Sequence, residues 1–490
     1  MDSEVAVKPP LRADGERRRV LMLCAHEPTA DPRVVWEASG AAQRFDVAVL
    51  GFSSGDGAFG PVEKADGYTL YRLPHKNAGI GPYARRLLEG VDAGERTVLL
   101  VVGAVALLPL AVIELVFRGL LLCHRALRRA FPSIAASLQG LRTALLAAVA
   151  WSRIRDVLGV LRVQFAPATA QFWRFVRNLP RKPDVIHCND LDTLLVGVLA
   201  RKHFGCTLVY DAHEYFPHSD PEGGWLDRVV FHFLENALIR KADAVITVNH
   251  QLAEVIRDAY GLSEVRSLPN AVPWSGTQAA MSTDMTALAS GRVKFLFQGR
   301  FSPQRGLEEL VDAWSRIDAT RAALFLRGPD NAWRQELRAR AERLGILGRS
   351  VYFLDAVRET QLVAAAMEAD VGVIAYKGDV AGYKYACPNK LSQYLHAGLM
   401  VLTNDLPYVR EVIEDAGAGL HYSSADPDSI VGAVSRISGD AGLLRESKEN
   451  ALRYARASFN WQRVSPVLYD IYADPSAQKP RASSAAPGRH

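Results

Sequence analysis

The stretch ADVGVIAYKGDVAGYKYACPNKLSQYLHAGLMVLTNDLPYVREVI, residues 369–413, holds a whole strand, loop, helix and second strand. Its first apolar run, Val371 to Tyr376, suits a buried parallel strand, and the glycine-bearing stretch Lys377 to Cys387 must be loop. Pro388 opens a helix, because a missing N–H costs nothing at the first helical position; Gly398 stops it, and Met400 to Thr403 resumes as a strand. The unit is one βαβ crossover. Backbone N–H groups around Pro388, Asn389 and Lys390 would point out of the helix start with its positive dipole end, and the Lys390 ammonium adds attraction for phosphate. Gln393, three residues on, shares that face, where its amide suits a sugar hydroxyl. An ordinary capped helix with a solvated lysine accounts for these residues equally well.

Working back toward the N-terminus, the second half of the chain restarts at Val293 to Gln298 as a strand. Gly299 and Arg300 begin a loop, and Arg305-Gly306 leads into a helix with apolar positions at Leu307, Leu310, Val311, Trp314 and Ile317. A doubly cationic loop at a strand-to-helix turn suits a diphosphate, since each guanidinium bridges phosphate oxygens; solvated surface arginines are the alternative. Further strands at Ala323 to Arg327 and Val351 to Leu354 end at Gly328-Pro329-Asp330 and at Asp355. The final periodic stretch, Phe459 to Tyr472, reads as a terminal helix.

The first half alternates strands and helices in the same way, with strands at Arg19 to Cys24, Asp46 to Gly51, Tyr68 to Leu73, Asp184 to His187, Thr207 to Tyr210, Ala244 to Val248 and Val265 to Leu268. That alternation predicts doubly wound α/β domains, whose ligands sit beyond the carboxyl ends of the strands. His26 and Glu27 follow the first strand; they are strand-end ligands or plain turn residues. Asn189 and Asp190 follow His187, and His213 and Glu214 end the next strand. So polar a neighbourhood suits hydrogen bonding to a polyhydroxylated acceptor, with His213 or Glu214 handling a proton. No third and fourth ligand with metal spacing accompanies the His-Glu pair, so no metal is expected. No GxGxxG follows the first strand, which leaves a nicotinamide or flavin dinucleotide unsupported.

Between these halves of the pattern lies a window of different composition. Residues 81–182 carry 15 Lys and Arg against 5 Asp and Glu, a net charge of +10, while the whole 490-residue chain carries +5. Thr97 to Leu122 is apolar and nearly long enough to cross a bilayer, but Glu114, Arg118 and Pro109 interrupt it, and strands on both sides must share one sheet. A re-entrant or in-plane helix there, with Trp151 to Leu179 as a second interfacial helix, fits a basic apolar window facing an anionic membrane surface. A buried helical insertion is the alternative. The window lacks a nucleic-acid reading motif, so no nucleic acid is expected. Five scattered cysteines argue against a disulfide or zinc framework. The N-terminus lacks a secretory signal, and polar tails at residues 1–17 and 474–490 are expected to be disordered. The Ser-, Thr- and Ala-rich stretch 273–291 is placed as the interdomain linker.

Taken together, Gly299-Arg300 with Arg305-Gly306, the run RSLPNAV ending at Val272, GVIAYKGD and PNKLSQYLHAGLMVLTNDLP resemble retaining glycosyltransferases of family 4. The likeness spans roughly residues 18–80 and 183–472. It implies the GT-B fold, an α/β architecture of two Rossmann-like doubly wound domains facing a cleft, here with a helical apolar and basic insertion in the first. The domains would be an acceptor-side unit, 18–272, and a nucleotide-sugar unit, 292–456, with a terminal helix, 457–473, crossing back. On the resemblance, Arg300 and Arg305 hold the diphosphate of a UDP- or GDP-sugar. Pro388, Asn389 and Lys390 match the PNK-type donor helix, and Gly299, Gly328, Asp355, Tyr385 and Gln393 complete the donor side. The run YDAHE, ending in His213 and Glu214, is similar to the family's acceptor-side His-Glu, and His26, Glu27, Asn189 and Asp190 are placed on the acceptor side by their positions at strand ends.

Two glutamates common in the family are replaced by Tyr385 and Gln393, and the usual glycine-rich loop after the first strand is HEPTADP. The implied reaction moves a hexosyl unit, without metal, to a lipid-linked or other glycan acceptor at the cytoplasmic face of a membrane, as in the synthesis of cell-surface polysaccharide or glycolipid. A nucleotide-sugar epimerase and a non-catalytic membrane-bound glycan-assembly subunit are the competing readings.

Overall fold

The computed structural model describes residues 15–54, 60–74, 166–219, 224–276, 279–303, 305–376, 381–424 and 426–474. The proposed insertion up to residue 165, the Thr97 to Leu122 helix and most of both tails lie outside these, as do Lys377 to Val380 of the loop.

The first half builds an eight-stranded sheet from β1 (Arg19–Leu23), β2 (Asp46–Phe52), β3 (Val62–Ala65), β4 (Tyr68–Leu73), β5 (Val185–Asn189), β6 (Thr207–Ala212), β7 (Ala244–Thr247) and β8 (Arg266–Ser267). Its order is β3-β4-β2-β1-β5-β6-β7-β8, parallel except for β3, which pairs antiparallel to β4. The second half builds a parallel six-stranded sheet from β9 (Val293–Gln298), β10 (Ala322–Arg327), β11 (Val351–Leu354), β12 (Val371–Ile374), β13 (Met400–Thr403) and β14 (Gly419–His421), ordered β11-β10-β9-β12-β13-β14.

Most of the inner strands are buried on both faces, which is why they read as apolar runs rather than alternations. In each sheet the winding direction reverses once, between β1 and β5 and between β9 and β12. Such reversals splay the crossover helices apart and leave a crevice beyond the strand ends. Both crevices open into one cleft of ≈ 1110 Å³ lined by residues from both halves.

Three features differ from the sequence expectation. The Phe459 to Tyr472 helix is two helices, Trp461–Val464 and Pro466–Ala473, because Pro466 supplies no N–H to continue the first. The pair does return to the first half: Trp461, Leu468, Tyr469 and Tyr472 are buried against Val34, Phe45 and Val47. The described end of the proposed interfacial helix, Ala166–Val176, is core. Phe172 stacks on Phe52 at 4.8 Å, and Trp173 meets His203 edge-on at 5.7 Å, so these rings are spent inside the protein rather than on a membrane. Finally, the linker stretch contains a short helix, Met285–Ala289, and Thr283 is fastened to Glu368 of the second half through its N–H and hydroxyl, both 2.6 Å.

Candidate functional site

On the C-terminal side, the loop after β9 is shaped by glycines that admit no side chain. Gly306 adopts φ +66°, and a Cβ there would come within 3.3 Å of the Tyr376 backbone. At Gly328 a Cβ would fall 2.2 Å from the Gly299 carbonyl oxygen. The turn therefore lies flat against β10 and β12, and Arg300 and Arg305 face the cleft. Arg305 stacks on Tyr376 and Tyr383, its guanidinium carbon 4.6 and 5.1 Å from the ring centroids. Lys390 approaches the same Tyr376, its Nζ 5.7 Å from that centroid and 3.9 Å from that of Phe297. Burial and the neighbouring Arg305 hold the Lys390 pKa well below the usual lysine range. Two cations share one aromatic wall, and among the described residues no carboxylate pairs with either, an arrangement an anion would relieve.

Pro388 is the N-cap of the helix Asn389–His396 rather than its first residue, so the open N–H groups begin at Asn389. The first half holds this helix in place. Asn270 Nδ2 donates to the Cys387 carbonyl at 2.7 Å, Asn249 Nδ2 to that of Tyr385 at 2.7 Å, and the Val272 N–H to Ser392 Oγ at 2.8 Å. Gln393 is buried, donating through Nε2 to Glu359 Oε1 at 3.0 Å and accepting from Gln298 Nε2 at 3.1 Å. Gln393 and Glu359 both line the cleft, Glu359 with its carboxylate. Burial and Asp31 across the cleft push its pKa up to about 7, against the lowering bond from Gln393. Asp355 is corrected: its side chain is 96% exposed, pairs with Arg334 at 3.3 Å and does not line the cleft. Tyr385 and Gly328 do line it.

Opposite stands a buried charge cluster. Arg33 grips Asp211 in bidentate fashion at 2.7 and 2.9 Å and donates to the Leu268 carbonyl at 2.6 Å and to Asn270 Oδ1 at 2.9 Å. Burial alone would protonate Asp211, but Arg33 and His213 keep it well below the usual carboxylate range. His213 Nδ1 faces Asp190 at 3.3 Å, and its Nε2 faces Asn189 Oδ1 at 3.1 Å and Asp211 at 3.4 Å. Burial opposes its charge, but Asp190, Asp211 and Asp31 together raise its pKa to about 10. It is an imidazolium near neutrality, with both nitrogens turned to protein. Asp190 sits at the end of β5 with φ +59°, a strained conformation for a residue with a Cβ, where its carboxylate also accepts the His213 N–H at 3.1 Å. Asp31, Asp190 and Glu214 complete the acidic lining, and burial and Asp190 raise the Glu214 pKa to about 7.

Two expected acceptor-side residues are turn residues instead. Glu27 accepts from Arg72 Nε at 2.9 Å and from Thr29 Oγ1 at 2.9 Å, and His26 supports Asp31 at 3.4 Å; neither lines the cleft. Asn189 is buried, donating to the Leu23 carbonyl at 3.0 Å, and acts through His213. Among the described residues, Glu37, His187 and Asp211 could together hold a metal ion, their ligand atoms lying within 4.8 Å of one another. The Arg33 guanidinium, 3.1 Å from Glu37 and doubly bonded to Asp211, already supplies the positive charge there.

Sequence reasoning thus found the cations and the strand-end acids but missed Arg33, Asp31, Glu359, Arg327 and the Tyr376 wall. The signals were faint: Asp31 lies within HEPTADP, and an arginine ending a strand as apolar as AALFLR is out of place unless it faces a ligand or a buried acid.

Comparison with known proteins adds family and fold. A family model described as a glycosyl transferase 4-like domain matches residues 78–271, and one for glycosyl transferases group 1 matches residues 292–440. A glycogen synthase of Mycobacterium tuberculosis is 21% identical over 295 residues, 59% of this chain and 69% of that protein. The structure of a sucrose-phosphate synthase from Thermosynechococcus elongatus superposes with a TM-score of 0.62 at 15% identity, covering 93% of this chain and 98% of the other. The Anabaena protein HepE in complex with UDP-glucose gives 0.59 at 16% identity, covering 92% and 99%. These likenesses establish the GT-B fold.

Proposed function

Since the chain belongs to the GT-B glycosyltransferases, its two family domains spanning residues 78–271 and 292–440, we propose that it transfers a hexosyl unit, with retention, from a nucleoside-diphosphate sugar to a hydroxyl of a glycan held at a membrane. One observation carries the donor: Arg300, Arg305, Lys390 and Asn389 at the helix start all line a single cleft, and among the described residues no carboxylate forms an ion pair with any of these cations. A pyrophosphate supplies the missing counter-charge. When the bond from the sugar's anomeric carbon to the phosphate oxygen breaks, its electron pair goes to the diphosphate. Charge then grows where these groups already stand, so they stabilise the transition state more than the ground state.

Glu359 is assigned to the ribose hydroxyls in place of Gln393. Asp31, Asp190 and Glu214 accept hydrogen bonds from the acceptor sugar. His213 is a positioning residue whose charge aims Asp190 and Asp31 and lowers the pKa of Asp31, while burial still holds that of Asp190 above the usual carboxylate value. Glu214, titrating near neutrality, is the group suited to take the acceptor's proton. This chemistry needs no metal, the cations doing that work.

The membrane side of the proposal rests on the composition of residues 97–165 and places the protein at the cytoplasmic face. Among the described residues no helix is long and apolar enough to cross a membrane. The acceptor would accordingly be lipid-linked, and the product a polysaccharide or glycolipid.

A thermal-shift panel of sugar nucleotides, followed by transfer of labelled sugar to a lipid extract, tests the proposal. Donor-dependent stabilisation with transfer is expected; an Arg300→Ala variant that turns over at the wild-type rate overturns it.

A further inference from the structure

Under the acceptor side of the cleft runs a chain of polar contacts that ends on the donor helix of the other half. Asp190, which lines the cleft, faces His213 Nδ1 at 3.3 Å, and His213 Nε2 faces Asp211 at 3.4 Å. Arg33 holds Asp211 at 2.7 and 2.9 Å and donates through Nη1 to Asn270 Oδ1 at 2.9 Å; Asn270 Nδ2 then donates to the Cys387 carbonyl at 2.7 Å. Each link lies within hydrogen-bond or ion-pair reach. Cys387 directly precedes Pro388, the N-cap, so the last contact grips the peptide from which the Asn389 helix starts.

The sense of this chain is fixed at Arg33, which is 2% exposed and does not line the cleft. Its Nε and Nη2 are committed to Asp211, and its Nη1 also donates to the Leu268 carbonyl at 2.6 Å, so the guanidinium plane is held at three corners. Arginine has only donors. It therefore draws the oxygen of the Asn270 amide and turns the NH2 toward Cys387; a flipped amide would set donor against donor and carbonyl against carbonyl. A second asparagine supplies the contrast. Asn249 Nδ2 donates to the Tyr385 carbonyl of the same loop at 2.7 Å, but its Oδ1 accepts the Leu252 N–H at 2.8 Å, capping its own helix instead of meeting a charge.

We propose that Asn270 is a positioning residue that couples the acceptor-side charge cluster to the donor helix, so that the grip on a nucleoside diphosphate depends on Arg33, a residue of the opposite half. The inference rests on the donor reading given above. On that reading the start of the Asn389 helix meets the diphosphate, and a peptide free to turn at Cys387 would lose its aim. Such coupling is reciprocal: an acceptor that engages Asp190 changes donor affinity by the same factor by which the donor changes acceptor affinity.

The test is a double-mutant cycle on calorimetric binding of UDP and of GDP. Asn270→Ala is expected to weaken whichever nucleotide binds by about fivefold or more, and Arg33→Lys to do the same, since one ammonium cannot hold Asp211 in bidentate fashion and Asn270 together. In the Asn270→Ala background Arg33→Lys should have no further effect. In Asn249→Ala, which loses an equivalent bond to the loop, its effect should be as large as in the wild type. A merely structural Asn270 would lower the melting temperature and leave the effect of Arg33→Lys on affinity intact. Circular dichroism and the thermal melt establish that each variant is folded. Should Arg33→Lys fail that check, His213→Asn enters the same chain on the acceptor side of Asp211; should Asn270→Ala fail it, Asn270→Ser takes its place. Equal effects of the Arg33 or His213 substitution with and without the Asn270 amide, or no effect in either background, overturn the coupling and leave the donor reading standing. If neither UDP nor GDP binds the wild type, the donor reading fails and the coupling with it.

Discussion

Among the described residues, the cations on one wall of the cleft have no paired carboxylate, while the opposite wall is crowded with acids. Arg305 is held by two aromatic faces and Lys390 by a third, so neither loses its orientation when no ligand is present. Replacing Arg305 by alanine should remove about 2–4 kcal/mol of transition-state stabilisation, a fall of roughly 30- to 1000-fold in kcat/KM with the fold intact. Initial rates at sub-saturating donor check it. Lys390 makes a second, independent prediction. Its depressed pKa belongs to the unliganded cleft, and a diphosphate would raise it. Donor binding should therefore take up protons, and affinity should fall as pH rises above the unliganded lysine's pKa. Calorimetry in buffers of different ionisation heat measures the uptake, and Lys390→Met should abolish it.

His213 gives a stability signature of opposite origin. Its folded pKa of about 10 lies above the ordinary 6.5, so its contribution is complete below pH 6.5 and is lost as pH climbs toward 10. The melting temperature should decline over that window, and His213→Asn should flatten that part of the profile. His213 and Asp190 were legible in the sequence because each directly follows an apolar strand. Their roles were not, because the charge on His213 is set, besides Asp211 two residues before it, by Asp190 and Asp31, which arrive from another strand end and another loop.

Elements show why position was easier to read than partnership. Every strand whose residues form a continuous apolar run was identifiable, since burial on both faces leaves its mark on each residue. β3, with three exposed residues of four, and β14, only three residues long, leave none. The same limit misplaced Phe172 and Trp173, at the described end of the proposed interfacial helix. Aromatic and basic residues at helical spacing suit a membrane interface and a protein core equally, and Phe52 and His203, the partners that decide it, lie far off in sequence.

The burial of Phe172 and Trp173 sets the boundary for a deletion. Deleting residues 97–165 should leave a folded protein with lost membrane recovery, whereas a deletion running through Val176 removes Phe172, Trp173 and Val176 from the core. Trp173→Ala alone should cost about 3–5 kcal/mol in chemical denaturation. Membrane recovery that survives the shorter deletion would refute the role given to the insertion. In the C-terminal half the β9 loop is equally exacting. Gly328→Ala should weaken donor binding and lower stability by about 1–3 kcal/mol, because a Cβ would press on the Gly299 carbonyl and the Phe301 ring.

Seen as a whole molecule, the two sheets are tied by the end of the chain as well as by the 273–291 connection. The helix Ala441–Ala457 belongs to the second half, where Lys448 donates to Asp370 at 2.9 Å. Sixteen residues after that helix ends, at Ala473, the chain has already closed on the first half. Arg18 donates to the Ala473 carbonyl at 2.7 Å, and Tyr472 reaches His187 at 2.6 Å, at the floor of the Arg33, Glu37 and Asp211 cluster. Trp461 lies against Gly40, where a Cβ would fall 2.0 Å from its indole nitrogen, and its backbone N–H donates to the Val272 carbonyl at 3.1 Å just where the connection begins. The crossing is thus packed at the root of the linker, and a first half lacking its C-terminal segment exposes the face of Val34, Phe45 and Val47 that Trp461, Leu468 and Tyr472 cover.

Two substitutions separate packing from polarity at this crossing. Trp461→Ala should cost about 3–5 kcal/mol, a cavity effect, whereas Tyr472→Phe keeps the ring and should cost only about 1 kcal/mol for the lost hydrogen bond to His187. Since the donor residues sit in the other half, the stabilisation by UDP or GDP should be nearly unchanged in Tyr472→Phe. A variant that loses nucleotide binding while keeping its melting temperature would mean that the crossing sets the cleft's geometry rather than the first half's stability.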